Sequence, residues 1–306
     1  MISIIIPVFN RKEYTRECLL SLGKQTDQRF KVVIVDDGST DGTEDMLRQE
    51  FPEVEVLNGS GSLFWTAGVN MGIRHALKQD AQLIMTMNND VITDERLIEK
   101  MYYWHAQKPE ALLGALELDA NTQQPIFGGE RLNWLLNTIE EVLPTLSKDE
   151  QKGLHAVTHL PGRGLLIPRV VIEKIGLFDQ DRFPHYIADY DYTHTARRAG
   201  FELYVNYDAK LLTYPEESGE RQIRSDKNFK NYYKHLFDLK GGGNLRDFTR
   251  FTLKNCPALA VQVKRSPCAR ASARLSVSAR FTATPRSSCT APARGSLSTS
   301  RGPVTG

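Results

Sequence analysis

Nowhere does the chain approach the roughly 20 consecutive apolar residues that a membrane-spanning helix needs. Its opening run, Ile2-Ser3-Ile4-Ile5-Ile6-Pro7, is too short and lacks the basic flank of a secretory signal. Cysteine is scarce: Cys18, Cys256, Cys268 and Cys289 form no CxxC pair. Neither a disulfide framework nor a zinc site is indicated, and a reducing, cytoplasmic setting is expected. An excess of one charge is missing too, since 39 Lys and Arg stand against 37 Asp and Glu. That balance gives no footprint for nucleic acid, and none is expected as a partner. It does hide a division. After Asp247 no acidic residue occurs and Arg and Lys continue, so the body before it is net acidic.

With 306 residues, 41% hydrophobic and 25% charged, the chain has ordinary globular composition and can bury a substantial core. Short apolar runs alternate with amphipathic stretches. Ile2–Val8, Lys31–Val35, Val54–Leu57 and Leu83–Met87 read as strands. Each is followed by a helical pattern: one around Cys18 and Leu22, one capped by Asp41, one from Ala67 to Lys78 and one from Glu95 to Gln107. Four such alternations predict an α/β sandwich with a mainly parallel sheet covered on both faces.

The pattern loosens over 119–160, with a polar helical stretch near Ser147–Lys152. It returns as a strand at Leu165–Ile167, helices at Val170–Ile175 and Asp189–Ala199, and a late strand at Glu202–Val205. Asn228–Leu239 reads as an aromatic-rich helix, with Lys227, Lys230, Lys234 and His235 suited to a membrane surface or, more simply, to packing on the main body. Beyond Pro257 the chain is Ser, Arg, Ala, Pro and Thr without periodicity, which reads as a disordered or frame-shifted tail.

In a parallel sheet of this kind ligands sit outside the carboxyl ends of the strands, and two strands here end in acidic clusters. Asp36-Asp37 could accept hydrogen bonds from a base or ribose, or could simply cap a turn. Asn88-Asn89-Asp90 suits a hard divalent cation bridging two phosphates, or is another polar loop. Asp189 and Asp191, in His185-Tyr186-Ile187-Ala188-Asp189-Tyr190-Asp191, sit at a helix start. There one carboxylate could take a proton from an incoming hydroxyl, or cap the helix.

These groups, with Ile4-Ile5-Ile6-Pro7-Val8-Phe9-Asn10, Val33-Ile34-Val35-Asp36-Asp37-Gly38-Ser39 and Gly68-Val69-Asn70-Met71-Gly72-Ile73, resemble family 2 glycosyltransferases of the GT-A type over roughly residues 1–256. Gly162-Arg163-Gly164-Leu165-Leu166-Ile167-Pro168 and Phe183-Pro184-His185-Tyr186 are similar to a bacterial surface-polysaccharide, rhamnosyltransferase-like subgroup.

The resemblance implies an inverting transfer from a UDP- or dTDP-linked sugar to a hydroxyl of a glycan or lipid-linked acceptor. It implies donor contacts at Pro7, Val8, Asn10, Asp36, Asp37, Asn70, Asn88, Asn89 and Asp90. A Mn²⁺ or Mg²⁺ ion would sit on Asp90, and Asp189 would be the general base. Trp65, Arg163, His185, Tyr186 and Asp191 are candidates on the sugar and acceptor side.

The expected domains are 1–215 catalytic (1–118 nucleotide-binding, 119–215 acceptor half), 216–256 helical and 257–306 tail. The pattern departs from the family where Asn88 opens the metal motif and Ala188 replaces a Glu. A late metal-ligating His is also absent, its neighbourhood being Thr213-Tyr214. The rival readings are a non-catalytic nucleotide-sugar or glycan binder and a sugar-phosphate nucleotidyltransferase. The latter should carry a Gly-rich phosphate loop where this chain has Asn10-Arg11-Lys12-Glu13.

Overall fold

The structure, a computed structural model, describes residues 1–214, 236 and 244–257. Of the proposed helix at 228–239 only Leu236 is among these residues, and nearly all of the tail lies outside them.

Strand β1 (Ile2–Val8) is almost wholly buried, as a run of Ile and Val with both faces covered should be. Its side chains alternate between two cores. Ile5 joins Val33, Val35, Val69, Ile73 and Ile84 on one face of the sheet. Ile2, Ile4 and Ile6 join Cys18, Leu22, Val32, Ile34 and Met46 on the other. Helices α1 (Lys12–Gly23), α2 (Thr43–Glu50) and α4 (Leu97–Gln107) cover the second face, and α3 (Phe64–Lys78) covers the first. Glycine sets the spacing of α3. A methyl group on Gly72 would lie 2.3 Å from Ile5 Cγ2, so the helix backbone rests directly on β1.

The other strands are β2 (Phe30–Asp36), β3 (Glu55–Asn58), β4 (Leu83–Thr86), β5 (Val91–Thr93) and β6 (Leu112–Asp119). After them come β7 (Pro125–Phe127), β8 (Glu130–Asn133), β9 (Thr138–Glu141), β10 (Leu154–Ala156), β11 (Leu165–Pro168) and β12 (Leu203–Thr213). The main sheet runs β10-β12-β6-β11-β4-β1-β2-β3, with β5 on β12 and β7 on β6. Along that order β3, β2, β1, β4, β6 and β12 point one way, while β11 and β10 oppose them. The mainly parallel α/β sandwich is present, and its aligned carboxyl ends form one edge. Helices α5 (Arg169–Ile175), α6 (Ala188–Arg198) and α7 (Leu245–Asn255) complete the described fold.

Several local expectations need correction. Strand β12 extends to Thr213, well past Val205, because a bulge between Asn206 and Lys210 lets it pair first with β10 and then with β5. The loose region holds the hairpin β8–β9, and its polar stretch forms only a 3₁₀ turn, Lys148–Glu150, closed by a Ser147–Glu150 capping box. Helix α3 starts at Phe64, not Ala67. Asp41 is not the N-cap of α2. Gly42 turns the chain at φ 83°, and Asp41 instead accepts from Thr43 N and from Lys12 N, bracing the start of α1.

Candidate active site

At the carboxyl edge, β1 and β2 hand the chain to loops stitched together by short polar side chains. Asp36 Oδ1 accepts from Ser39 N at 2.9 Å, Ser39 Oγ from Asn10 N at 2.7 Å, and Asn10 Oδ1 from Thr40 N at 2.9 Å. Asp37 does more. Its oxygens accept from Gly61 N and Leu63 N, each at 2.7 Å, and its own N–H donates to Val8 O. Both aspartates are buried and fold the loops that wall the edge. Each oxygen so used keeps a second acceptor direction. Pro7 is half-buried, while the Val8 side chain is buried in the core.

At the end of β4 the three residues of Asn88-Asn89-Asp90 part company. Asn89 turns inward, its amide donating to Thr15 Oγ1 of α1 at 2.9 Å. Asn88 Oδ1 accepts from the Trp65 indole N–H at 2.9 Å. Asp90 faces the edge, where its Oδ2 is 2.7 Å from Arg11 Nη1. Among the described residues no group of three His, Cys, Asp or Glu could hold a metal ion. Asp90 is thus a single carboxylate, and a hard cation there would need its other ligands from phosphate and water.

The proposed base approaches from the opposite wall. Ile187 adopts φ 68°, turning the chain into α6 so that Asp189 falls in its first turn. Asp189 Oδ2 accepts from Gly162 N at 2.7 Å, and Oδ1 from Tyr190 N at 2.9 Å. Burial pushes its carboxyl above the ordinary value, and the two N–H groups and the nearby Arg163 charge hold that rise back. A base whose affinity for protons is raised by its surroundings suits proton abstraction.

Arg163 is anchored by a residue outside the sequence reading. Its Nε donates to Glu117 Oε1 at 2.8 Å, and Glu117 is only 1% exposed. Burial pushes the Glu117 carboxyl up, with the Arg163 charge opposing it and Asp189 and Asp90 adding to it. The signal lay in Leu112-Leu113-Gly114-Ala115-Leu116-Glu117-Leu118, a lone charge in an apolar strand.

Trp65 does not stand free in the cleft. Its ring packs edge-to-face on Phe178 at 5.7 Å, and a methyl group on Gly162 would lie 2.4 Å from its Cζ2. It therefore links Asn88, next to Asp90 in the chain, to Gly162, whose N–H holds Asp189. The neighbouring Phe64 takes the open position, 39% exposed at φ 55° and 6.5 Å from the His185 ring, which in turn lies 4.7 Å from Tyr186. Positive φ is a real outlier for so bulky a residue. Hydrogen bonds on either side hold it: Leu63 N to Asp37, and Thr66 N and Oγ1 to the carbonyls of Pro184 and Phe183.

Like Val8 and Asn89, two further candidates are turned away from the edge. Asn70 is 1% exposed, its amide bonded to Phe178 N and O and to Gln180 Oε1. Asp191, 2% exposed, points to α7, where it meets Lys254 Nζ at 2.6 Å and Asn255 Nδ2 at 2.8 Å.

The family model described as glycosyl transferase family 2 matches residues 3–175, more than half of the chain. The glycosyltransferase GlyG of Streptococcus pneumoniae is 26% identical over 186 residues, covering 53% of this chain and 61% of GlyG. The poly(ribitol-phosphate) beta-glucosyltransferase of Bacillus spizizenii is 30% identical over 128 residues, 38% of this chain and 19% of that one. The chain thus spans less than two thirds of these relatives. A crystal structure of GalNAc-T7 with UDP, GalNAc and Mn²⁺ superposes with a TM-score of 0.58 at 13% identity, covering 87% of this chain and 58% of the other. That likeness carries the GT-A fold.

Proposed function

The chain belongs to glycosyl transferase family 2, and from that premise we propose that it moves a sugar from a UDP- or dTDP-linked donor to a hydroxyl of a glycan or lipid-linked acceptor, with inversion. The observation that carries this reading is the pairing of walls: Asp90 on the loop after β4 and Asp189 at the start of α6, joined through Trp65 and Gly162. The strand-end loops of 1–118 would hold the nucleotide, with Asn10, Asp36 and Asp37 on the base and ribose side. Residues 119–215 would supply the base and, with His185 and Tyr186, the acceptor wall. The surface-polysaccharide setting is supported by the name of the ribitol-phosphate polymer relative, and we place the enzyme in the cytoplasm.

In this reading the acceptor oxygen loses its proton to Asp189 as it attacks the anomeric carbon. The bond from that carbon to the diphosphate breaks on the opposite face, which inverts the configuration. A Mn²⁺ or Mg²⁺ ion held through Asp90 would offset the charge of the departing diphosphate. Arg163, fixed by Glu117 within electrostatic reach of both Asp90 and Asp189, favours the ionised form of the base against its burial. A nucleotidyltransferase is disfavoured because Asn10-Arg11-Lys12-Glu13 carries no glycine, and its backbone turns at once into α1.

A thermal-shift series tests the donor half. At one hundred times the dissociation constant, UDP or dTDP with Mn²⁺ should stabilise the fold by about 2.7 kcal/mol. For a domain of this size that raises the midpoint by about 5–10 °C. No shift with any nucleoside diphosphate would refute it.

A further inference from the structure

Arg11 sits in an unusual piece of backbone. It follows Asn10 in a run of two left-handed residues, φ 59° and 62°, without a glycine between β1 and α1. Few L-residues adopt this conformation, and two in succession have to be imposed from outside. Here Ser39 Oγ accepts from Asn10 N, and Asp41 Oδ2 accepts from Lys12 N, pinning the chain on both sides. The consequence is directional. The guanidinium is sent across the carboxyl end of β1 to Asp90 Oδ2 at 2.7 Å, with its Cζ 5.6 Å from the Tyr14 ring centre. Asp90 is the outward-facing carboxylate of its motif, and the side chains of the pair are 39% and 23% exposed.

A cation that binds Asp90 has to displace this one or share the carboxylate against its repulsion. A guanidinium released there faces the same edge, where a diphosphate offers several charged acceptor oxygens in the geometry its fork matches. We propose that Arg11 is a resident counter-cation: it occupies Asp90 in the empty enzyme and transfers to the donor diphosphate when a divalent ion takes Asp90. The inference rests on the nucleoside-diphosphate reading above. It makes metal and nucleotide mutually dependent. The ion alone binds weakly because it must break the pair, while nucleotide and ion together bind well because the arginine gains phosphate oxygens.

The test is a pair of titrations on the full chain, Mn²⁺ alone and UDP alone, followed by UDP at saturating Mn²⁺. Arg11→Asn suits the test, since Asn tolerates the left-handed conformation. Arg11→Lys keeps the charge. For a half-exposed ion pair the expected changes are about two- to five-fold. Arg11→Asn should bind Mn²⁺ alone more tightly by that factor and UDP alone more weakly, with Arg11→Lys between it and the parent. The gain in UDP affinity on adding Mn²⁺ should shrink in Arg11→Asn.

Opposite signs alone follow from removing one positive charge, so the exchange is supported when the Mn²⁺-induced gain in UDP affinity also shrinks in Arg11→Asn, and an unchanged gain would overturn it. Losses in both, no change in either, or no Mn²⁺ binding by any of the three proteins would overturn it. If UDP binds none of them while Mn²⁺ still gains from Arg11→Asn, the donor reading fails, and the competition at Asp90 stands alone.

Discussion

Gly162→Ala is a one-methyl change at the point where the two walls of the site touch. The added carbon would lie 2.4 Å from Trp65 Cζ2 and 2.5 Å from Cη2, and 3.4 Å from Asp189 Cβ. Carbon atoms do not pack at such distances, so the indole edge must retreat by roughly an ångström. Retreat is obstructed by Phe178, 5.7 Å away edge-to-face, and by the hydrogen bond to Asn88. Overpacking of this kind costs about 1–3 kcal/mol. In a domain of this size each kcal/mol lowers the midpoint by about 2–4 °C.

The effect on transfer should be larger than that on stability. Moving Trp65 shifts Asn88 beside Asp90, and moving Gly162 loosens the N–H that orients Asp189. A misplacement of about 1 Å can cost roughly 100-fold in rate. Thermal melts and an assay of nucleotide released on sugar transfer, run side by side, read both effects. Trp65→Phe removes the two offending carbons, so the double variant should recover the midpoint without recovering the full rate. A Gly162→Ala protein with the parent's midpoint and rate would refute the reasoning.

Replacing Arg163 with Met leaves the Glu117 carboxylate buried without its cation. Its folded-state affinity for protons, already raised, rises further, so stability is retained at acid pH and lost as pH climbs. Melts at pH 5 and pH 8 should show the larger deficit at pH 8, and Glu117→Gln in the same protein should remove that pH dependence. The same Arg163→Met change also moves the acid limb of the transfer profile to higher pH, because Asp189 loses a charge that favours its ionised form. Phe64→Gly releases a left-handed conformation costing about 1–2 kcal/mol and removes an exposed ring. The melting midpoint should stay nearly level while KM for the acceptor rises and KM for the donor holds; a large loss of stability would make the ring structural instead.

The acidic strand ends were legible because they are local: an apolar run that stops at Asp or Asn is visible within ten residues. Direction of the side chains was not. Nothing near Asp191 in sequence announces that its partners lie in α7 at Lys254 and Asn255. Trp65 reads equally as a sugar-stacking ring or a buried one, and the left-handed turn at Phe64 and the missing side chain at Gly162 give the open position to Phe64 instead. Glu117 was visible as a charge in an apolar strand, but its meaning depends on Arg163 across a strand junction. Strand β12 looked short because its outward residues, Tyr204, Asp208 and Lys210, break the apolar run. The antiparallel insertion of β11 between β4 and β6 rests on long-range pairing alone.

The central claim is that Asp189 takes the acceptor's proton, and Asp189→Asn tests it most directly. Asparagine can accept from only one of the two N–H groups that now face the carboxylate. Stability should therefore fall by about 1–3 kcal/mol, and the comparison belongs well below the lowered midpoint. There the variant should bind UDP in the presence of Mn²⁺ as the parent does, while single-turnover transfer slows by about 10²–10⁴-fold. Transfer at the parent's rate by a protein that still binds UDP would contradict the account.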